Sequence, residues 1–160
     1  FKRAGARYVV LTSKHHDGVA LWDTKQNDLS IPKQTPARRD VLTPLMQAVE
    51  REGMKKGLYF SLLDWSHPDY PVFTQNEKRY DPGQDPARWN RFVKFYQAQL
   101  GELQRLVNPD LWWFDGQWEQ DATAWHAAET RKQLLDFNPR AIINSRLRDH
   151  GDYSTPEQGL

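Results

Sequence analysis

The order of apolar patterns along this 160-residue chain predicts an α/β fold, specifically a partial (β/α)8 TIM-like barrel with about half of the strands present. Three observations carry that prediction. Strand and helix patterns alternate from end to end, as expected of a parallel sheet covered by helices. No Gly-x-Gly-x-x-Gly turn follows any strand, so a dinucleotide-binding doubly wound sheet would lack its phosphate cradle. Every polar or aromatic cluster falls after a strand's carboxyl end, the face on which barrels build their sites. A whole barrel takes roughly 250 residues, so this chain accommodates about half. The chain starts at Phe1 without a methionine and stops at Leu160 after a polar loop. We therefore expect residues 1–160 to be part of a single (β/α)8-like domain, with its N- and C-terminal portions outside this sequence.

The first strand covers residues 7–12, centred on the β-branched run Tyr8-Val9-Val10-Leu11. Lys14-His15-His16-Asp17-Gly18 forms its loop, and residues 24–39 form a long connection without periodicity. Asp40 caps a helix in which Val41, Leu42, Leu45, Met46 and Val49 follow the 3.6-residue period, and Gly53 marks its end. Residues 56–62 form the second strand, followed by a loop from Asp64-Trp65-Ser66-His67-Pro68 through Pro82-Gly83. Asp85-Pro86 opens the second helix, with Trp89, Phe92, Val93, Tyr96, Leu100, Leu103 and Val107 on one face. The third strand is the aromatic run Leu111-Trp112-Trp113-Phe114-Asp115, which Gly116 ends. Residues 121–137 form the third helix, packed through Trp125, Ala128 and Leu135. Residues 141–144 form the fourth strand, and residues 145–160 the last loop.

Twenty-two basic and 21 acidic residues are mixed along the chain, for a net charge of +1. No basic stripe suggests nucleic acid, and no apolar run approaches the roughly 20 residues of a membrane span. The absence of cysteine excludes disulfides and thiolate metal sites. A cytoplasm and a disulfide-free secreted setting are both compatible with that composition. Seven tryptophans and six tyrosines, several in loops, offer flat walls for a ligand such as a sugar, or simply pack the loops down.

Alternation along the third strand puts Trp113 and Asp115 on one side and Trp112 and Phe114 on the other. A carboxylate there is costly to bury unless paired; Asp115 either caps the next helix or carries chemistry. Glu157, after the fourth strand, is its best carboxylate partner, because neighbouring parallel strands bring those loops together. A separation of roughly 5–5.5 Å would mark a retaining glycoside hydrolase. Arg146 either holds Asp115 ionised or pairs with Asp149 or Asp152. Adjacent His15 and His16 should point in different directions. They could bond substrate hydroxyls, ligate a metal with Asp17 as third ligand, or be structural.

Ala4-Gly5-Ala6-Arg7-Tyr8-Val9-Val10-Leu11-Thr12, Lys14-His15-His16-Asp17-Gly18 and Leu21-Trp22-Asp23 together resemble the family 29 glycoside hydrolases, the α-L-fucosidases. The resemblance continues through Arg39-Asp40-Val41, Gly57-Leu58-Tyr59-Phe60-Ser61, Trp65-Ser66-His67-Pro68 and Trp113-Phe114-Asp115-Gly116. It implies a (β/α)8-like catalytic domain that removes terminal α-L-fucosyl residues from glycans or glycoconjugates. The implied mechanism retains configuration through a covalent fucosyl-enzyme, with no metal or organic cofactor. By resemblance Asp115 is the nucleophile and Glu157, in Gly151-Asp152-Tyr153-Ser154-Thr155-Pro156-Glu157, the acid/base. His15, His16, Tyr59, Trp65, Trp113 and Arg146 are the implied sugar-binding residues. The implied partner is a fucosylated oligosaccharide or glycoconjugate, not nucleic acid or membrane, and the implied setting is secreted, periplasmic or lysosomal. Two other readings stay open: a non-catalytic fucose-binding barrel, and a histidine-based metallohydrolase.

Overall fold

The computed structural model describes residues 1–74 and 77–157. A 3₁₀ turn at Lys2–Ala4 leads into strand β1, Tyr8–Lys14. Helices α1 (Ile31–Gln34) and α2 (Leu42–Arg51) precede β2, Lys55–Ser61. A small hairpin of β3 (Val72–Thr74) and β4 (Glu77–Lys78) follows, then α3, Pro86–Val107. Strand β5 (Leu111–Asp115), a 3₁₀ turn (Gln117–Glu119), α4 (Ala127–Phe137) and β6 (Ile142–Ile143) complete the chain.

Strands β1, β2, β5 and β6 form one parallel sheet in that order. The order follows the sequence without reversal, so there is no topological switch point of the doubly wound kind. All four carboxyl ends lie on one side, and the loops of interest start there. Trp112 and Phe114 of β5 and Leu58 and Phe60 of β2 are buried in one core with Phe92, Tyr96 and Leu100 of α3, Met46 of α2 and Leu134 of α4. Tyr59, Trp113 and Asp115 alternate to the other face and stay half-buried.

The expected periodic elements are present, with local differences. Asp40 does cap α2: its carboxylate accepts the Leu42 and Thr43 amides at 2.8 and 2.9 Å. Leu45, expected on the apolar face, is exposed. Asp85 caps α3 by accepting the Arg88 amide. The third helix starts at Ala127, not at residue 121, because Asp121 accepts the Ala124 amide and holds the chain in turns. Trp125 is thereby buried outside the helix, its indole donating to the Gln117 carbonyl. The inward positions of α4 become Ala127, Thr130 and Leu134, and Ala128 is exposed. The two long connections are also more ordered than their composition indicates. The first holds α1 and is tied to α3 by Glu102, which accepts from Trp22, Thr24, Lys25 and Gln26. The second holds the hairpin.

Candidate active site

Asp115 closes β5, and Gly116 then turns the chain at φ 80°. A Cβ at Gly116 would lie 2.4 Å from Leu63 Cγ, so only glycine lets the backbone leave the strand there. The carboxylate is 13% exposed and paired on both oxygens. Tyr59, on the neighbouring strand, donates its hydroxyl to Oδ2 at 2.7 Å. Arg146 donates from Nη1 to Oδ1. Burial, and then that bond to Asp115, pushes the Tyr59 hydroxyl well above its usual range, so it stays a donor.

Asn144 fixes the approach of the last loop by imitating a backbone peptide. Its side-chain oxygen accepts the Phe114 amide at 2.8 Å and its nitrogen donates to the Phe114 carbonyl at 2.9 Å. Two residues on, Arg146 donates from Nε to Thr155 Oγ1 at 3.1 Å and from Nη2 to Glu157 Oε1 at 2.9 Å. One planar guanidinium therefore joins Asp115 to Glu157. Asp152, offered above as a partner for Arg146, instead pairs with Arg131. Glu157 is 76% exposed, on the rim of a cavity of about 450 Å³ that Arg146 and Trp118 also line.

The paired histidines do not diverge as strand alternation predicts. Their rings lie 4.2 Å apart, because β1 breaks register between Thr12 and Lys14 and the pair sits in the loop beyond. His15 stacks on Tyr59 at 5.3 Å, nearly parallel. His16 Nδ1 lies 2.7 Å from Ser61 Oγ, whose own proton goes to the Leu63 carbonyl. Ser61 therefore accepts from His16, which assigns the Nδ1–H tautomer and leaves Nε2 as an acceptor, 3.9 Å from Asp115 Oδ2. Burial, and then the neighbouring His15, lower the His16 pKa from the ordinary 6.5 and keep the ring neutral. Trp65 and Trp118 pack on His16 at 5.2 and 5.8 Å. The Trp65 indole nitrogen is buried with no hydrogen-bond partner among the described residues. Trp113 shares the Asp115 face, in register with Tyr59. Asp17, the suggested third metal ligand, accepts the Val19 amide. Among the described residues no three His, Asp or Glu side chains form a metal-binding group.

All eight predicted residues thus lie at the carboxyl end of the sheet or on the face leading to it. Sequence reasoning placed Trp118 with Asp115 in a cluster after the third strand but gave neither Trp118 nor Ser61 a role in the site. Neither carries a pattern of its own, and Ser61 acts through a residue 45 positions away.

A family model described as "Alpha-L-fucosidase" matches residues 1–160. Tissue alpha-L-fucosidase of Mus musculus is 35% identical, over 96% of this chain and 34% of that protein. The chain thus spans about a third of the length of the curated relatives it matches. The structure of alpha-L-fucosidase isoenzyme 1 from Paenibacillus thiaminolyticus superposes with a TM-score of 0.86 at 33% identity, over 99% of this chain and 41% of that one. A GH29 alpha-L-fucosidase from Bacteroides thetaiotaomicron, trapped as a covalent intermediate with 2-fluoro-fucosyl fluoride, gives 0.79 at 36% identity, over 96% of this chain and 35% of that one.

Proposed function

The chain belongs to the α-L-fucosidase family, and on that footing we propose that it carries the catalytic pair of a retaining α-L-fucosidase acting on fucosylated glycans. The domain is then part of a single (β/α)8 barrel, completed by sequence on either side. The observation that carries this reading is the Arg146 bridge between a strand-end carboxylate, Asp115, and a rim carboxylate, Glu157. Such a bridge suits the roughly 5–5.5 Å separation of a retaining pair.

Asp115 attacks the anomeric carbon as its bond to the leaving oxygen breaks, and Glu157 protonates that oxygen. Glu157 then takes a proton from water, which attacks the same carbon and releases Asp115. Tyr59 and Arg146 hold the attacking carboxylate in one orientation and supply positive potential beside it. Attack turns Asp115 into a neutral ester and leaves the guanidinium to Glu157. His16 Nε2, as a neutral acceptor, and the Trp65 indole N–H suit sugar hydroxyls, and Tyr59 with His15 and Trp113 wall the fucose. The Glu157 contact to Arg146 favours catalysis over a merely fucose-binding barrel.

Replacing Asp115 by glycine in the intact protein should lower turnover of an aryl α-L-fucoside by at least ~10³-fold. Added azide should restore turnover and yield a fucosyl azide. Near-wild-type turnover by Asp115→Gly would remove Asp115 from the nucleophile role.

A further inference from the structure

Among the described residues the Glu157 carboxylate holds a single hydrogen bond, to Arg146, and most of it faces solvent. A glutamate so exposed can sample several rotamers, so its place depends on how its backbone is held. Two residues earlier, Thr155 accepts three N–H bonds. Its hydroxyl takes Asn144 Nδ2 at 3.2 Å and Arg146 Nε at 3.1 Å, and its carbonyl takes Arg146 Nη2 at 3.1 Å. Asn144 is fully buried and spends its other amide hydrogen on the carbonyl of Phe114, the residue before Asp115. The Thr155 hydroxyl thus joins the loop that carries Glu157 to the strand that carries Asp115.

Pro156 stands between Thr155 and Glu157. Its ring fixes its own φ near −65° and confines Thr155 to extended conformations, so the anchor at Thr155 reaches Glu157 across a stiff link. Upstream the loop is tied to the edge of β6, where the Asp152 amide donates to the Ile143 carbonyl and the Tyr153 carbonyl accepts the Ser145 amide. Those bonds end at Tyr153, which leaves Thr155 as the last tie before Glu157 itself. We propose that Thr155 is a positioning residue for Glu157, its hydroxyl setting the reach between the acid/base and Asp115. This rests on the fucosidase reading above. Thr155 acts through Glu157 and not on the sugar.

The two roles of Glu157 give this proposal a signature in the intact protein. Fluoride leaves α-L-fucosyl fluoride without a proton, so kcat/KM on that substrate needs Asp115 but no acid. The sugar oxygen of fucosyl-lactose leaves only as Glu157 protonates it. In Thr155→Val the ratio of kcat/KM on fucosyl-lactose to kcat/KM on the fluoride should fall about tenfold, the size expected for one or two lost hydrogen bonds. Measured on one sample, that ratio does not depend on how much of the protein is folded. Thr155→Ser keeps the hydroxyl and should keep the wild-type ratio. Glu157 must also take the proton from water, so kcat on the fluoride should fall in Thr155→Val. Azide should restore it, because azide displaces Asp115 from the anomeric carbon as an anion and gives up no proton. An unchanged ratio in Thr155→Val, whether from no loss or from equal loss on both substrates, overturns the role. The same fall in Thr155→Ser also overturns it. A wild-type protein that hydrolyses neither substrate contradicts the fucosidase reading, and this role falls with it.

Discussion

Tyr59 and Asp115 are the contact on which the proposed chemistry depends most locally. Tyr59→Phe removes one hydrogen bond to a charged group, worth about 1.5–3 kcal/mol, so kcat/KM should fall roughly 10- to 100-fold. The Tm should fall by no more than several degrees, because the ring and its stacking on His15 remain. A loss below twofold would mean that Tyr59 does not orient Asp115. Since burial pushes the Tyr59 hydroxyl upward, it should contribute no alkaline limb to the pH–rate profile up to its ordinary value of 10. Asp115 was legible because it ends a strand, where alternation and motif spacing both constrain it, whereas Tyr59, inside β2, was legible through the family resemblance. Ser61 was not: a serine in an apolar strand carries no signal until His16 is seen to donate to it. The convergence of His15 and His16 was hidden too, since a register break in β1 decides it.

Between the elements, the buried Lys14–Asp64 pair joins the end of β1 to the loop after β2. Both side chains are fully buried, 3.2 Å apart, with the ammonium 4.6 Å from the Phe60 ring centre. Gly18 packs against Asp64 so closely that a Cβ would sit 2.3 Å from its oxygen. Lys14→Met leaves Asp64 charged and unpaired and should cost about 3–5 kcal/mol, read from the urea midpoint; Lys14→Met/Asp64→Asn should cost less. A single variant as stable as wild type would show that the pair carries no such burden. His67 in the same loop accepts the Asp69 amide through Nδ1 and packs on Phe95. Burial lowers its pKa below 6.5; Lys14 and Arg79 add to this, and Asp64 and Asp69 oppose it. The unfolded chain therefore takes up the proton first, and stability present above pH 6.5 is lost as pH falls through the depressed folded value. His67→Asn should flatten that decline in Tm, and an unchanged slope would assign it elsewhere. Helix and strand periods made these elements legible in order, but the start of α4 and the β3–β4 hairpin were not. A local Asp121 turn overrode helical periodicity in one case. In the other, the strands are too short to show alternation.

Across the whole molecule, the described sheet ends in β1 on one side and β6 on the other; only the Asp152–Tyr153 segment meets the outer edge of β6, and only Ala20 and Leu21, near Ser13 and Lys14, meet that of β1. Tyr8 and Ile142 are exposed, and with Leu111 and Tyr153 they line a cavity of about 430 Å³ at the amino ends of the strands. Strand edges covered only in part, together with exposed apolar surface, favour association over a stable monomer. Made alone, these 160 residues should aggregate or unfold without a cooperative transition and show no turnover. Cooperative unfolding with measurable turnover would contradict the partial-barrel reading. For the intact protein, the most direct measurement is peptide mass spectrometry after reaction with 2-fluoro-fucosyl fluoride. The account predicts one fluorofucosyl adduct, on the peptide containing Asp115; an adduct on another carboxylate, or none while the enzyme turns over, would contradict it.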